Sequence, residues 1–336
     1  MNKNNFLSEL TGKGRRLYKS AVLVIGLSIL SVVSSSAQDK STTNPPVGNP
    51  FVRDIYTADP SAHVWKDGRL YVYPSHDVDP PRGCDLMDKY HVYSTDDMVN
   101  WRDEGEILRA SQVSWGRTEG GFMWAPDCAY KNGTYYFYFP HPSGTDWNHT
   151  WKIGIATSKS PASGFVSQGY IKGLESMIDP CVFVDDDGQA YFYYGGGGIC
   201  KGGKLKDNMV EIDGEMHKME GLEDFHEATW VHKRNGIYYL SYSDNHDVNG
   251  KHNQMRYATS TSPLGPWISK GVYMDPTDSY TDHGSIVEFK GQWYAFYHNS
   301  SISHQDWLRS ICVDKLYYNA DGTIQKVVPT GTVKSQ

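Results

Sequence analysis

KNGTYYFYFPH, residues 131–141, is a turn that ends in glycine and runs straight into a tyrosine-rich strand. Four other segments repeat that pattern: KDGRLYVYPSHD (66–77), DDGQAYFYYGG (186–196), RNGIYYLSYSD (234–244) and FKGQWYAFYHN (289–299). Asn-Gly or Asp-Gly ahead of alternating apolar residues marks a hairpin, because its turn needs positive φ. A short strand precedes each turn: SAHVWK, DCAYK, CVFVD, ATWVHK and SIVEF. Weaker strand-like stretches follow some of them, such as YHVYST, KIGIATS and MRYATSTS.

The turn glycines stand at 68, 133, 188, 236 and 291, at intervals of 65, 55, 48 and 55 residues. Repeats of roughly 40 to 50 residues that each hold several strands are the mark of propeller blades. No long window has helical periodicity. The expected fold is therefore all-β: one five-bladed β-propeller over residues 51–336, with no room for a second domain. A sandwich would leave the fivefold repeat unexplained.

Outside that region, Lys13, Arg15, Arg16 and Lys19 precede the apolar run 21–33 and the small residues Ser35-Ser36-Ala37. The run is too short to span a bilayer comfortably. Residues 1–37 read as an export signal, which places the mature chain in the periplasm or medium with no membrane attachment. Residues 38–50, QDKSTTNPPVGNP, read as a linker. The net charge of −7 and the absence of a basic patch argue against nucleic acid as a partner. Five cysteines, Cys84, Cys128, Cys181, Cys200 and Cys312, have no metal-binding spacing. They read as small buried hydrophobes, with at most an optional bridge.

Nine residues before each turn glycine stand Asp59, Trp124, Asp179, Glu227 and Asp282, the last followed by His283. The innermost strand of a blade lines the central channel. These side chains should therefore converge at one end of the axis. Asp59-Pro60 and Asp179-Pro180 are also turn-favouring pairs, but three acids in register are more than turn caps explain. Converging carboxylates raise one another's pKa, and such a set in a cleft is a functional candidate. Glycoside hydrolysis needs an acid with a raised pKa and, with inversion, an ionised base across the sugar.

At these residues the chain resembles glycoside hydrolase family 43. The matching stretches are ADPSAHVWKDGRLYVY, FMWAPDCAYKNGTYYFYF, MIDPCVFVDDDGQAYFYYGG, HEATWVHKRNGIYYLSYS and DHGSIVEFKGQWYAFYH, spread over residues 51–325. The resemblance implies an inverting enzyme acting on arabinose- or xylose-containing oligo- and polysaccharides. It casts Asp59 as general base, Glu227 as general acid and Asp179 as the group that tunes the acid. It also implies that Trp124 stacks on the sugar and that Arg309 reaches the pocket, to bind hydroxyls or pair with Asp179 or Glu227. No cofactor is needed for the chemistry. The resemblance further implies a calcium or sodium ion on the axis, held by His283 largely through water, although a satisfied core histidine would look the same.

Two more residues are candidates for sugar contact. Asp77 ends a strand and reads as a hydroxyl ligand or a turn cap. Trp115 lies with Arg117 and Glu119 in the long interval between the first two repeats, which is expected to build pocket wall. The glycine run 195–198 reads as space beside the pocket or as flexible backbone. The functions left open are an exo-acting α-L-arabinofuranosidase or β-xylosidase, an endo-arabinanase, a β-galactofuranosidase, and a non-catalytic sugar-binding propeller.

Overall fold

The computed structural model describes residues 48–79, 83–245 and 253–331. The export signal and most of the expected linker lie outside these residues. Five antiparallel sheets make up the propeller. Blade one holds β1 (Tyr56–Val64), β2 (Leu70–Asp77), β3 (Lys89–Thr95) and β4 (Trp101–Arg109). A short helix, α1 (Gly83–Leu86), interrupts it. Blade two holds β5 (Asp127–Lys131), β6 (Thr134–Pro142), β7 (Trp151–Ser158) and β8 (Val166–Tyr170). Blade three holds β9 (Ile178–Val184), β10 (Ala190–Gly196), β11 (Ile199–Leu205) and β12 (Ile212–Lys218). Blade four holds β13 (Phe225–Arg234), β14 (Ile237–Asp244), β15 (Met255–Ser260) and β16 (Ile268–Met274). Blade five has three strands, β17 (Ser285–Phe289), β18 (Gln292–Asn299) and β19 (Ser310–Leu316).

The chain leading into blade one closes the ring onto blade five. Asn49 Nδ2 donates to Val313 O at 2.9 Å, and its Oδ1 accepts from Val313 N at 2.9 Å. The side chain thus imitates a strand partner for β19. Phe51 N and Thr57 N then donate to Ile311 O and Arg309 O. Asn49 and Pro50 therefore belong to the propeller, and the expected linker ends before them. Between blades, tyrosine and aliphatic faces interlock, with Tyr73, Tyr193, Tyr239 and Tyr297 almost wholly buried. Cys128, Cys181, Cys200 and Cys312 are free buried thiols that pack as hydrophobes.

A repeated device ties the inner strands together. Ala62 N of blade one donates to Ser285 Oγ of blade five, and Val182 N of blade three to Asp127 Oδ2 of blade two. Val231 N of blade four donates to Cys181 Sγ of blade three. Each is an N–H on an innermost strand, satisfied by a neighbouring blade because no further strand exists on that side. Asp127 carries the most: it also accepts from Ser61 Oγ at 2.5 Å and Cys128 N at 2.7 Å, and lies 2.6 Å from His63 Nε2.

Candidate active site

A β-bulge aims the acids. From Ala58 to Ser61, β1 advances three residues while β2 advances two, from Ser75 to Tyr73. The same slip separates Ile178 from Cys181, and Glu227 from Trp230. The residue bulged out is Asp59 (φ 51°), Asp179 (φ 54°) or Ala228 (φ 64°). Left-handed backbone is unusual for a non-glycine residue, and aspartate tolerates it better than most. A residue before proline is normally extended, so Asp59 and Asp179 are held against preference, as bulges beside functional sites often are.

The register corrects the sequence count. Glu227 is the structural equivalent of Ala58 and Ile178, and Ala228 that of Asp59 and Asp179. Blade four turns on two residues, Asn235-Gly236, between Arg234 and Ile237. Blade one spends residues 65–69 between Val64 and Leu70. Counting from the glycine hid that difference. Glu227 still enters the pocket, as Ile178 does from the same position one blade earlier.

The pocket at this end of the channel has a volume of about 270 Å³. Asp59, Asp179, Glu227, Trp124, His283 and Arg309 all line it, as expected from sequence. Three other expectations are overturned. Asp282 is buried beside the pocket and accepts from Thr277 N and Thr277 Oγ1, so it fixes a loop instead of facing substrate. Asp77 is 1% exposed and neither meets a sugar nor caps a turn. It takes Arg309 Nε and Nη2 in a two-pronged pair at 2.9 and 3.0 Å, plus Arg309 N at 2.8 Å. Trp115 turns inward. Its ring is half-buried and packs on Phe139, His141 and Tyr170, because an indole gains more from such contact than from capping a surface loop. The glycine run is a hairpin turn: Gly196 pairs with Ile199 across Gly197 and Gly198, whose φ values are 60° and 88°.

The pocket also contains aromatics that the sequence reading passed over: Trp147, Tyr280 and Trp307. Asp85 of α1, Ala125, Thr281 and His226 complete the lining, with His226 Nε2 3.5 Å from Glu227 Oε2. Trp147 lies in DWNHTW and Trp307 in HQDWLRS. An aromatic inside a polar loop was the available signal.

The electrostatics separate the three acids. Burial pushes Asp59 up, but Arg309, His283, His298 and Ser75 together outweigh it and hold the carboxyl down at about 2. Arg309 Nη1 donates to Asp59 Oδ1 at 3.1 Å, and Ser75 Oγ donates to Oδ2. His298 fixes the backbone: its Nδ1 accepts from Asp59 N at 3.0 Å, so the proton sits on Nε2, facing Thr281 O at 2.6 Å. That neutral tautomer agrees with a pKa lowered by burial to about 3. Asp179 and Glu227 are both pushed upward, first by burial. For Asp179 the neighbouring Glu227 charge adds to it, and for Glu227 the Asp59 charge does. They titrate as a pair. Ala228 N donates to Asp179 Oδ2 at 2.7 Å, which favours the carboxylate on Asp179 and opposes part of its rise.

His283 Nδ1 stands 3.8 Å from both Asp59 Oδ1 and Asp179 Oδ2, and burial lowers its pKa to about 4. Among the described residues, no three His, Cys, Asp or Glu side chains converge on a point that would hold an ion. Calcium prefers six to eight oxygens, and the protein donors here do not supply them.

A channel-end pocket that keeps one carboxylate ionised and gives a proton to another, between aromatic walls, defines a propeller glycoside hydrolase. The chain belongs to Glycosyl hydrolases family 43, whose profile it matches over residues 47–324. It is 37% identical over 318 residues to a xylosidase/arabinosidase of Bacteroides ovatus, covering 80% of this chain and 94% of the relative. A β-xylosidase/α-arabinofuranosidase from a compost microbial metagenome, solved with xylotriose in a calcium-free form, superposes with a TM-score of 0.76. It is 35% identical, and the match covers 86% of this chain and 99% of that one. A family-43 enzyme of Xanthomonas citri, also solved with xylotriose, gives 0.77 at 35% identity, with 85% and 94% covered.

Proposed function

We propose that the protein is an exported, exo-acting, inverting hydrolase that releases xylose or arabinose from plant cell-wall glycans. The observation that carries this reading is the split in protonation within one small pocket. Asp59, held ionised by Arg309, is the base that takes a proton from the attacking water. Glu227 is the acid that delivers a proton to the leaving oxygen. Asp179 keeps that proton on Glu227 by its like charge. Trp124 offers a ring face to the sugar. A cavity of about 270 Å³ lies just below the ~300–1,000 Å³ typical of ligand sites, which favours one terminal sugar over a threaded chain. The named relatives act on or bind xylose-containing substrates, which supports the pentose assignment.

Water attacks the anomeric carbon from the Asp59 side as the glycosidic C–O bond breaks. Asp59 takes one proton of the water, Glu227 gives its own to the departing oxygen, and the pair is restored by proton exchange with solvent. Hydrolysis of 4-nitrophenyl α-L-arabinofuranoside, β-D-xyloside and β-D-galactofuranoside, with Glu227→Ala as control, tests the proposal. Turnover of a pentoside that is lost in the control supports it. Silence on the panel together with cleavage of arabinan into oligomers would move the assignment to an endo-acting enzyme. Export rests on residues 1–37, and N-terminal sequencing of secreted protein tests it by looking for Gln38.

A further inference from the structure

Asp59 is bulged out of β1, and neither it nor Pro60 has a partner on β2. Pro60 has no N–H to satisfy. Asp59 has one, and in a residue this buried it needs an acceptor inside the protein. His298 of β18 supplies it. The imidazole is wholly buried, and its Nδ1 accepts from Asp59 N at 3.0 Å. Asp59 Oδ1 lies farther from the same nitrogen, at 3.5 Å, so the main-chain N–H is the nearer partner. Just beyond the bulge, Ala62 N donates to Ser285 Oγ at 3.1 Å. Blade five thus grips β1 on both sides of the bulge.

Blade four meets the same need differently. Its bulged residue, Ala228, gives its N–H to Asp179 Oδ2, a carboxylate of the neighbouring blade three. A carboxylate at position 298 would set a second negative charge against Asp59 and favour its protonation, which disables a base. A neutral imidazole accepts the N–H without that charge. Its tautomer is fixed from the far side: Nε2 lies 2.6 Å from Thr281 O, which can only accept, so the proton is on Nε2 and the lone pair on Nδ1.

We propose that His298 is the positioning residue of the catalytic base. Its Nδ1 pins the Asp59 N–H and, with it, the left-handed backbone (φ 51°) that aims the carboxylate into the pocket. Its Nε2 fixes Thr281, whose Oγ1 accepts from Arg309 Nη1 at 3.0 Å; the same guanidinium nitrogen donates to Asp59 Oδ1 at 3.1 Å. Arg309 and Ser75 hold the carboxylate, and His298 holds the main chain beneath it. The inference deepens the proposed function and rests on its assignment of Asp59 as base.

The experiment uses the two ring nitrogens separately. The side-chain amide of asparagine superposes on Nδ1 of histidine, and that of glutamine on Nε2. His298→Asn therefore keeps an acceptor for Asp59 N and gives up the bond to Thr281 O. His298→Gln does the reverse. Each variant drops one buried hydrogen bond, so their melting temperatures should fall by similar amounts. On the aryl glycoside that the wild type hydrolyses, kcat should stay within about threefold of wild type in His298→Asn and fall on the order of a hundredfold in His298→Gln, the loss that a misplacement of ~1 Å can cause. KM should change little in either. The loss should be alike for good and poor leaving groups, because base assistance acts on the water. Wild-type turnover of a pentoside tests the proposed function, and the difference between the two variants tests His298. Equal kcat in the two, or a His298→Gln protein more active than His298→Asn, overturns the inference. Nitrogen-15 NMR of histidine-labelled wild-type protein at neutral pH checks it without any substitution: a His298 proton on Nε2 alone supports the proposal, and a proton on Nδ1 overturns it.

Discussion

Replacing Arg309 with glutamine removes the one permanent cation that faces Asp59. Asp59 is 6% exposed, and burial alone would raise its pKa above the ordinary 3.8. Its folded value of about 2 therefore depends chiefly on Arg309. The interval between 3.8 and about 2, at ~1.4 kcal/mol per unit, corresponds to ~2.5 kcal/mol favouring the carboxylate. Because the folded pKa is depressed, that stability is present above pH 3.8 and is lost as pH falls toward 2. In activity, the acidic limb of kcat/KM should lie at about pH 2 in the wild type and move upward in Arg309→Gln, where burial is opposed only by His283, His298 and Ser75. The assay is the pH profile on an activated aryl glycoside, with circular dichroism confirming the fold at each pH. Lost sugar contacts would lower the whole profile without moving its midpoint, so the two effects separate. An acidic limb in the same place in both proteins would refute the argument.

Glu227→Gln should cost far more on substrates with poor leaving groups than on 4-nitrophenyl glycosides, because an activated leaving group needs little protonation; kinetics on both series check this. The alkaline limb of kcat/KM reports the Asp179–Glu227 pair and should lie above the ordinary 4.5 of glutamate, with activity lost as pH rises through it. Asp179→Asn should move that limb downward, as a pH profile of the variant would register. Asp127→Ala leaves Val182 N, Ser61 and His63 without their shared acceptor and should destabilise the fold by about 3 kcal/mol, measured by urea denaturation.

The fold was legible because each blade repeats the same local signals. Five glycine turns, each flanked by an apolar strand, admit few architectures. The convergence of Asp59, Asp179 and Glu227 on one pocket was legible for the same reason, although the count from the glycine equated Glu227 with Asp59 only because a shorter turn offset one residue of register. Long-range pairing was not legible. Nothing near Asp77 signals that its partner is Arg309, 232 residues away, at the seam where the ring closes. Asp282 falls at the repeat position, but blade five turns on two residues, Lys290-Gly291 between Phe289 and Gln292, as blade four does, so the count lands one residue early and the side chain that reaches the pocket is His283. Trp115 and Trp147 are both loop tryptophans. Which one packs inward depends on Phe139 and Tyr170, strand residues that the loop sequence does not reveal.

The most direct test of the account is the configuration of the first sugar released, followed by proton NMR during early hydrolysis of a 4-nitrophenyl pentoside. Asp59 acting on water across the ring from Glu227 predicts a product of inverted anomeric configuration, which then mutarotates. A first product with retained configuration would mean that a carboxylate attacks the sugar directly, and the roles given to Asp59 and Glu227 would be wrong.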